Sequence, residues 1–289
     1  MMRAPPTERS VESLLEFGVV NLDKPPGPSA HEVSAWVRDF AGVEKAAHAG
    51  TLDPKVTGCL PVLTGTAPRL APALLEGSKE YVAVLELHDD APGDLRDVVA
   101  EFEGPLYQKP PRKSAVSRRL RVREIHALDV LEVRERQALL RIDCESGTYV
   151  RKLCHDLGLA LGTGAHMGHL RRTATGPFTD ADLVSMHDYV DALAEWRDRG
   201  TEDWIRGVVQ PAENALVHLP HVTIAPSAAR EVANGAPVYA PGVIDHDDPA
   251  PGALVACITP NESAVCLGRA TDVIDADAGE AVTLERVLV

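Results

Sequence analysis

Residues 138–144 (ALLRIDC) alternate strictly, with Ala138, Leu140, Ile142 and Cys144 on one side and Leu139, Arg141 and Asp143 on the other. That two-residue period predicts a half-buried β-strand. Similar stretches predict strands over 17–22 (FGVVNL), near 59–63 and over 81–87 (YVAVLEL). Elsewhere the period lengthens. Val33, Trp36, Val37 and Phe40 recur at helical spacing behind Ser29, with Glu32 three residues on and Gly42 closing the run. A serine hydroxyl and a glutamate so spaced satisfy each other's backbone N–H groups, so a capped helix is predicted here. Val150, Leu153, Cys154, Leu157 and Leu161 predict a second helix, and shorter ones are expected at 94–102, 182–195 and 201–208. Glycines and prolines interrupt 46–69, which predicts a structured loop around the short strand at 59–63.

The pattern changes past Leu219–Pro220. Short strands at 222–224, 253–258, 263–270 and 282–289, with one small helix near 227–233, predict a β-barrel-like module of about 70 residues. The expected division is a frayed extension over 1–16, a large domain over 17–218 and the small module over 219–289.

Composition narrows the picture. The chain has 289 residues and is 45% hydrophobic, ample for a core. It lacks an 18-residue apolar run and its first residues lack a signal-peptide pattern, so a cytoplasmic protein without a membrane span is expected. The five cysteines are scattered and form no C-x-x-C, which points to buried thiols rather than disulfides or zinc. A net charge of −14 argues against a nucleic-acid partner until its distribution is considered. Residues 104–125 hold Lys109, Arg112, Lys113, Arg118, Arg119, Arg121 and Arg123 against Glu124 alone, whereas 227–289 carry ten acids and three arginines. A basic run inside an acidic chain predicts contact with a nucleic-acid backbone, first through Lys109, Arg112, Lys113, Arg118 and Arg119. The 7 lysines against 22 arginines, with abundant carboxylate, suit a cytoplasm of very high salt.

Two segments carry candidate chemistry. In HAGTLDP (48–54), Gly50 lets the backbone bend and Pro54 drives Asp53 out of helical geometry, presenting its carboxylate from a loop. A plain Asp-Pro turn gives the same letters. In SGTYVRKL (146–153), Arg151 falls in the first turn of a helix, where its fork suits a carboxylate or a phosphate, or simply solvent. Tyr149 could stack on a base or fill the core, and Tyr81 has the default of a core tyrosine. GTGAHMG (162–168) has the spacing of neither a dinucleotide fingerprint nor a P-loop, and His166 and His169 lack a third ligand. No metal site and no cofactor are expected.

Taken in order, these segments resemble one family, the pseudouridine synthases that include bacterial tRNA pseudouridine-55 synthase and its archaeal and eukaryotic relatives. HAGTLDPKVTGCLPV resembles the family's catalytic motif, and NLDKPPGPSAHEV the structural motif before it. KEYVA, CESGTYVRKLCHDLG and AHMGHLRRTATGPF resemble the others. YQKPPRKSAVSRRLRVREI and a C-terminal stretch similar to a PUA domain bring the chain nearer to the catalytic subunits of H/ACA guide ribonucleoproteins, the archaeal relatives of dyskerin. Ala49 stands where a serine is common, and GTAPRL (65–70) replaces the usual stretch ending in Ala-Thr-Lys or Ala-Thr-Arg.

The resemblance implies an α+β pseudouridine-synthase fold, a mixed and mostly antiparallel sheet flanked by helices, plus a small PUA domain. It implies isomerisation of uridine in tRNA or rRNA, without a cofactor. Asp53 would be the essential carboxylate, acting as nucleophile or base, with Arg151 holding it ionised and Tyr81 stacked on a flipped base. His48 would help hold the extruded RNA and Leu170 would form the pocket wall, with Tyr149 and Lys24 as further substrate contacts. The implied partners are an H/ACA guide RNA, its substrate RNA, small Nop-type and Gar-type proteins, and a kink-turn-binding ribosomal-type protein reached through RNA. The alternatives are a stand-alone tRNA pseudouridine-55 synthase and a non-catalytic RNA scaffold. A metal-dependent nuclease fails for want of carboxylates clustered near Asp53.

Overall fold

The computed structural model describes residues 3–110, 117 and 119–289. Arg112, Lys113 and Arg118 therefore lie outside the described residues. The chain begins with α1 (Val11–Glu16), β1 (Gly18–Lys24), α2 (Ala30–Ala41), β2 (Ala46–His48), β3 (Thr57–Thr64) and α3 (Ala71–Glu76). It continues through β4 (Lys79–Leu87), α4 (Leu95–Ala100), β5 (Gly104–Gln108), β6 (Arg121–Arg134), β7 (Gln137–Cys144), α5 (Val150–Ala160) and β8 (Ala165–Thr175). The first domain closes with β9 (Phe178–Thr179), α6 (Met186–Arg199), α7 (Asp203–Val208) and β10 (Gln210–Pro211).

These strands form one sheet in the order β10-β1-β3-β8-β4-β7-β6-β5, with β2 on β3 and β9 on β8. Only the β3–β8 pairing is parallel, so the sheet is mixed and mostly antiparallel as expected. One core lies beneath α2, α6 and α7, where Val33, Val37, Tyr189 and Ile205 cover Leu22, Leu60 and Val62 of β1 and β3. Another lies beneath α4 and α5, where Val99, Leu153 and Leu157 cover Ala83, Leu85, Leu140 and Ile142. The seam between these cores is where the site forms.

Several expectations hold closely. Ser29 and Glu32 make the full capping box of α2, and Gly42 ends it in the left-handed conformation. The helix expected at 182–195 starts later, because a second capping box, Ser185 with Asp188, fixes its first residue at Met186. Others fail. Within 46–69 the strand is longer than expected: β3 runs eight residues through Pro61, which has no N–H to give but accepts the Ala49 N–H at 3.0 Å, and the short β2 precedes the loop. The N-terminal segment is not a frayed extension, since Val11, Leu14 and Leu15 of α1 are buried in the first core. Arg9 is buried too, in a two-bond ion pair with Glu213.

The second domain contains β11 (His221–Ile224), α8 (Pro226–Ala233), β12 (Val238–Tyr239), β13 (Val243–His246), β14 (Leu254–Ile258), β15 (Ala264–Ala270) and β16 (Glu280–Val287). They form a six-stranded sheet, order β12-β16-β15-β14-β11-β13, around its own apolar cluster. The two domains are not loosely tethered. Leu254, Ala256, Ala264, Leu267 and Leu288 share a buried cluster with Phe17, Val19, Leu63 and Leu74 of the first domain. Arg269 reinforces the seam by bonding both Glu76 of α3, at 2.8 Å, and Glu285 of β16, at 2.6 Å. No helix among the described residues is long and apolar enough to cross a membrane.

Candidate active site

The loop between β2 and β3 is fastened from below. At the end of β1 the Lys24 side chain turns inward, fully buried, and its Nζ donates to the carbonyls of Pro25 (2.9 Å), Pro54 (3.0 Å) and Val56 (2.9 Å). Burial lowers its pKa and the nearby Asp53 charge opposes that shift. Lys24 is thus a loop anchor rather than the substrate contact expected of it: its ammonium is spent on backbone. The Gly27 N–H donates to the Pro54 carbonyl at 2.9 Å, and the Val56 N–H to the Asp53 carbonyl at 3.0 Å. With its neighbours held this way, the Asp53 side chain projects outward.

There it meets Arg151 of α5, whose Nη2 lies 3.0 Å from Oδ2 of Asp53. The two side chains are 39% and 47% exposed, so solvent screens the pair and it adds little to stability. Its consequence is orientation of the Asp53 carboxylate at the protein surface. What holds the start of α5 was not foreseen. Gln108, at the end of β5 and 2% exposed, accepts the Tyr149 N–H at 2.9 Å and donates Nε2 to the Tyr149 carbonyl at 3.4 Å. That clamp sits two residues before Arg151, and the half-buried Tyr149 contributes its backbone to it.

Tyr81 on β4 and Leu170 on β8 pack against both apolar cores, which puts them at the seam between these. Burial raises the Tyr81 pKa, so the phenol stays protonated at neutral pH. His48 ends β2 half-buried, with its Nδ1 enclosed and without a hydrogen-bond partner. Burial, then the Arg172 cation, then His31 lower its pKa, leaving a neutral imidazole. Arg172 was not foreseen. It is 1% exposed, and donates Nε to the Cys59 carbonyl at 2.8 Å and Nη2 to the Gly50 carbonyl at 3.3 Å. Two glycines make room: Gly50 turns at φ +104, and Gly58 at φ +93 would place a Cβ 2.2 Å from the Arg172 carbonyl oxygen.

Asp53 thus pairs with Arg151, while Leu52 and Val56 on either side of the same loop share a cluster with Tyr81 and Leu170, and His48 stands at the loop's start. Lys109 and Arg119 are exposed on the segment between β5 and β6, free to meet an anionic backbone. His166 pairs instead with His88, ring nitrogens 3.1 Å apart, and no cluster of three metal-ligating side chains occurs among the described residues.

Comparisons with known proteins agree along the whole chain. Residues 3–34 match the DKCLD (NUC011) domain, and residues 38–94 the N-terminal domain of TruB family pseudouridylate synthases. Residues 151–217 match the tRNA pseudouridylate synthase B C-terminal domain, and 220–288 the PUA domain. A probable tRNA pseudouridine synthase B of Halobacterium salinarum is 69% identical, covering 100% of this chain and 99% of that protein. The chain is a pseudouridine synthase of the TruB and dyskerin family. A Pyrococcus furiosus relative with the same description is 47% identical over 98% of the chain and 85% of its own length. The crystal structure of a Cbf5–Nop10–Gar1 complex aligns over 100% of this synthase and 90% of that chain, with a TM-score of 0.94 at 46% identity. That of an H/ACA ribonucleoprotein bound to a substrate RNA containing 2′-deoxyuridine gives 0.92 at 44% identity, over 100% and 90%. The synthase is accordingly an isomerase: an N-glycosidic bond breaks and a bond from C5 of the same base to the same sugar replaces it.

Proposed function

We propose that this synthase is the catalytic subunit of an H/ACA guide-RNA-directed particle, modifying uridines in rRNA and tRNA with Asp53 as its essential carboxylate. The observation that carries the reading is the Arg151-held carboxylate of Asp53, on a loop whose Leu52 and Val56 share a cluster with Tyr81 and Leu170. It occurs in a chain that aligns end to end with the catalytic protein of such particles. A uridine stacked in RNA cannot present its glycosidic bond to a carboxylate set beside Tyr81 and Leu170, so the target nucleotide is flipped out. Tyr81 then offers a ring face to the extruded base, and Leu170 an apolar wall. The neutral His48, half-buried where β2 runs into the Asp53 loop, supports that loop from the side of the displaced strand. Asp53 attacks the sugar or assists departure of the base, the freed uracil turns, and C5 rejoins C1′. As C5 bonds to C1′ any bond from Asp53 to that carbon breaks, C5 loses its proton to solvent, and N1 takes one up. The atoms of product and substrate balance, so no oxidant or energy source is consumed.

The exposed Lys109 and Arg119 grip the RNA backbone, together with Arg112, Lys113 and Arg118 of the same run. The PUA domain holds the guide RNA. Small Nop-type and Gar-type proteins brace the catalytic domain, and a kink-turn-binding protein joins through RNA. The protein works in a cytoplasm of molar salt, which its acidic surface suits.

A second reading has its own support. The relatives in Halobacterium, Haloarcula and Pyrococcus are all described as tRNA pseudouridine synthase B, and a stand-alone enzyme acts on tRNA without a guide. The test is to follow pseudouridine formation in molar salt on an rRNA fragment and on tRNA, each with and without guide RNA and companion proteins. Modification of the rRNA fragment only when a matching guide is present supports the guided reading. Full activity on tRNA, with none on rRNA under any condition, would leave the stand-alone enzyme.

A further inference from the structure

We infer that Arg172 is a positioning residue for the isomerisation, a buried cation that fixes the Asp53 loop and Tyr81 relative to each other. The inference rests on the reading of Asp53 as the essential carboxylate and extends it.

An arginine 1% exposed is costly unless it is paired, and Arg172 forms no ion pair among the described residues. Its partners are carbonyls chosen from two different parts of the site. Nε donates to Cys59 in β3, the first rigid strand after the Asp53 loop, at 2.8 Å. Nη2 donates to Gly50, three residues before Asp53, at 3.3 Å. The planar fork thus ties the start of the loop to the strand that follows it, which a single-point ammonium cannot do.

The same residue faces Tyr81. Tyr81 and Arg172 are register partners across β4 and β8, and the Arg172 cation counters the rise that burial gives the Tyr81 pKa. The register slips on both sides of this contact, between Glu80 and Tyr81 and between Ala83 and Leu85. Irregularities of this kind re-aim side chains and recur beside active sites. Here they point Tyr81, Arg172 and Leu170 toward one seam. Beside the loop, Nη1 lies 3.3 Å from where a Cβ on Gly50 would stand, so the cation is pressed against the turn that presents Asp53. A merely structural arginine in this family of strands would need neither the loop carbonyl nor Tyr81.

The experiment uses the full chain, assembled with whatever RNA and companions make the parent active, and compares Arg172→Met, Arg172→Lys and Asp53→Asn. Single-turnover isomerisation is measured alongside the Kd for substrate RNA and the melting temperature. Arg172→Met is expected to slow isomerisation about 100-fold while RNA affinity stays within about threefold, because a misplaced reacting group costs rate rather than binding. Arg172→Lys, which can still hold one carbonyl, should regain about tenfold. A rate for Arg172→Met within threefold of the parent, or a loss lying wholly in RNA affinity, overturns the inference. If Arg172→Met does not fold, Arg172→Lys decides: a rate at least tenfold below the parent at unchanged affinity supports it, and a parental rate overturns it. Asp53→Asn separates the two levels. An active Asp53→Asn enzyme defeats the reading of Asp53, whereas an inactive one beside an unimpaired Arg172→Met defeats only the role of Arg172.

Discussion

Replacing Glu213 by alanine should loosen the N-terminal arm from both domains at once. Arg9 meets Glu213 through two parallel bonds, Nη1 to Oε2 at 2.7 Å and Nη2 to Oε1 at 2.6 Å, with side chains only 1% and 11% exposed. At such burial the discount for surface pairs does not apply, and removing one partner strands the other charge at a cost of about 3–5 kcal/mol. Oε1 of Glu213 also accepts the Ala264 N–H of β15 at 3.1 Å, and leaving that donor unmet adds about 1 kcal/mol. The Phe17 ring, 5.5 Å from Arg9 Cζ, still offers its face to the stranded cation and offsets a small part. A net loss of about 4 kcal/mol corresponds to a melting temperature lower by about 8–16 °C in a chain of this size. Calorimetry in molar salt is the right assay, because salt damps the exposed charges while leaving a buried pair largely unscreened. The double variant Arg9→Met/Glu213→Met removes both charges together and should recover most of the loss, giving an interaction energy of about 3 kcal/mol in the cycle. A loss below about 1 kcal/mol for Glu213→Ala, or a double variant as unstable as the sum of its singles, would refute this reasoning.

Three other outcomes follow from the same contacts. Lys24→Met keeps the buried volume but withdraws three donors, so denaturation should register a loss of about 2–4 kcal/mol, and turnover should fall with the loosened loop. Gln108→Leu should cost about 1–2 kcal/mol and slow isomerisation without weakening RNA binding; an unchanged rate would mean that α5 starts correctly without the clamp. Lys79, with its Nζ on the carbonyls of Leu74 and Gly77, has its pKa pushed down to about 8 from 10.5, by burial first and then by the Arg172 cation. Between pH 8 and 10.5 the unfolded chain holds a proton the folded chain has released, so stability rises with pH in that window, by at most about 3 kcal/mol. Lys79→Met should flatten the rise, and an identical slope in that variant would count against it.

The sequence revealed those parts of the site that local chemistry dictates. The capping box at Ser29, the loop position of Asp53 before a proline, and Arg151 at the start of a helix could all be read from neighbouring residues. What pairs them could not. Asp53 and Arg151 are brought together only because β3 and β8 run parallel beside β4, an arrangement of strands distant in sequence. β8 itself was overlooked because His166, Gly168 and His169 mask its alternation. β6 was overlooked because it lies near the sheet edge, where only Ile125 and Leu128 are buried. Lys24 and Arg172 were misjudged or missed for one reason: long basic side chains usually carry their charge to solvent, and nothing local reveals a cage of carbonyls. The frayed N-terminus was expected from its charged letters, yet Arg9 spends its charge on a carboxylate more than two hundred residues away.

The central claim is that Asp53 is the carboxylate on which isomerisation depends. Tritium release from RNA carrying 5-tritiated uridine, comparing Asp53→Asn with the parent in molar salt, tests it most directly, because every turnover expels the C5 hydrogen. Asp53→Asn should bind RNA as the parent does and release no tritium above background. Release at the parental rate would contradict the account.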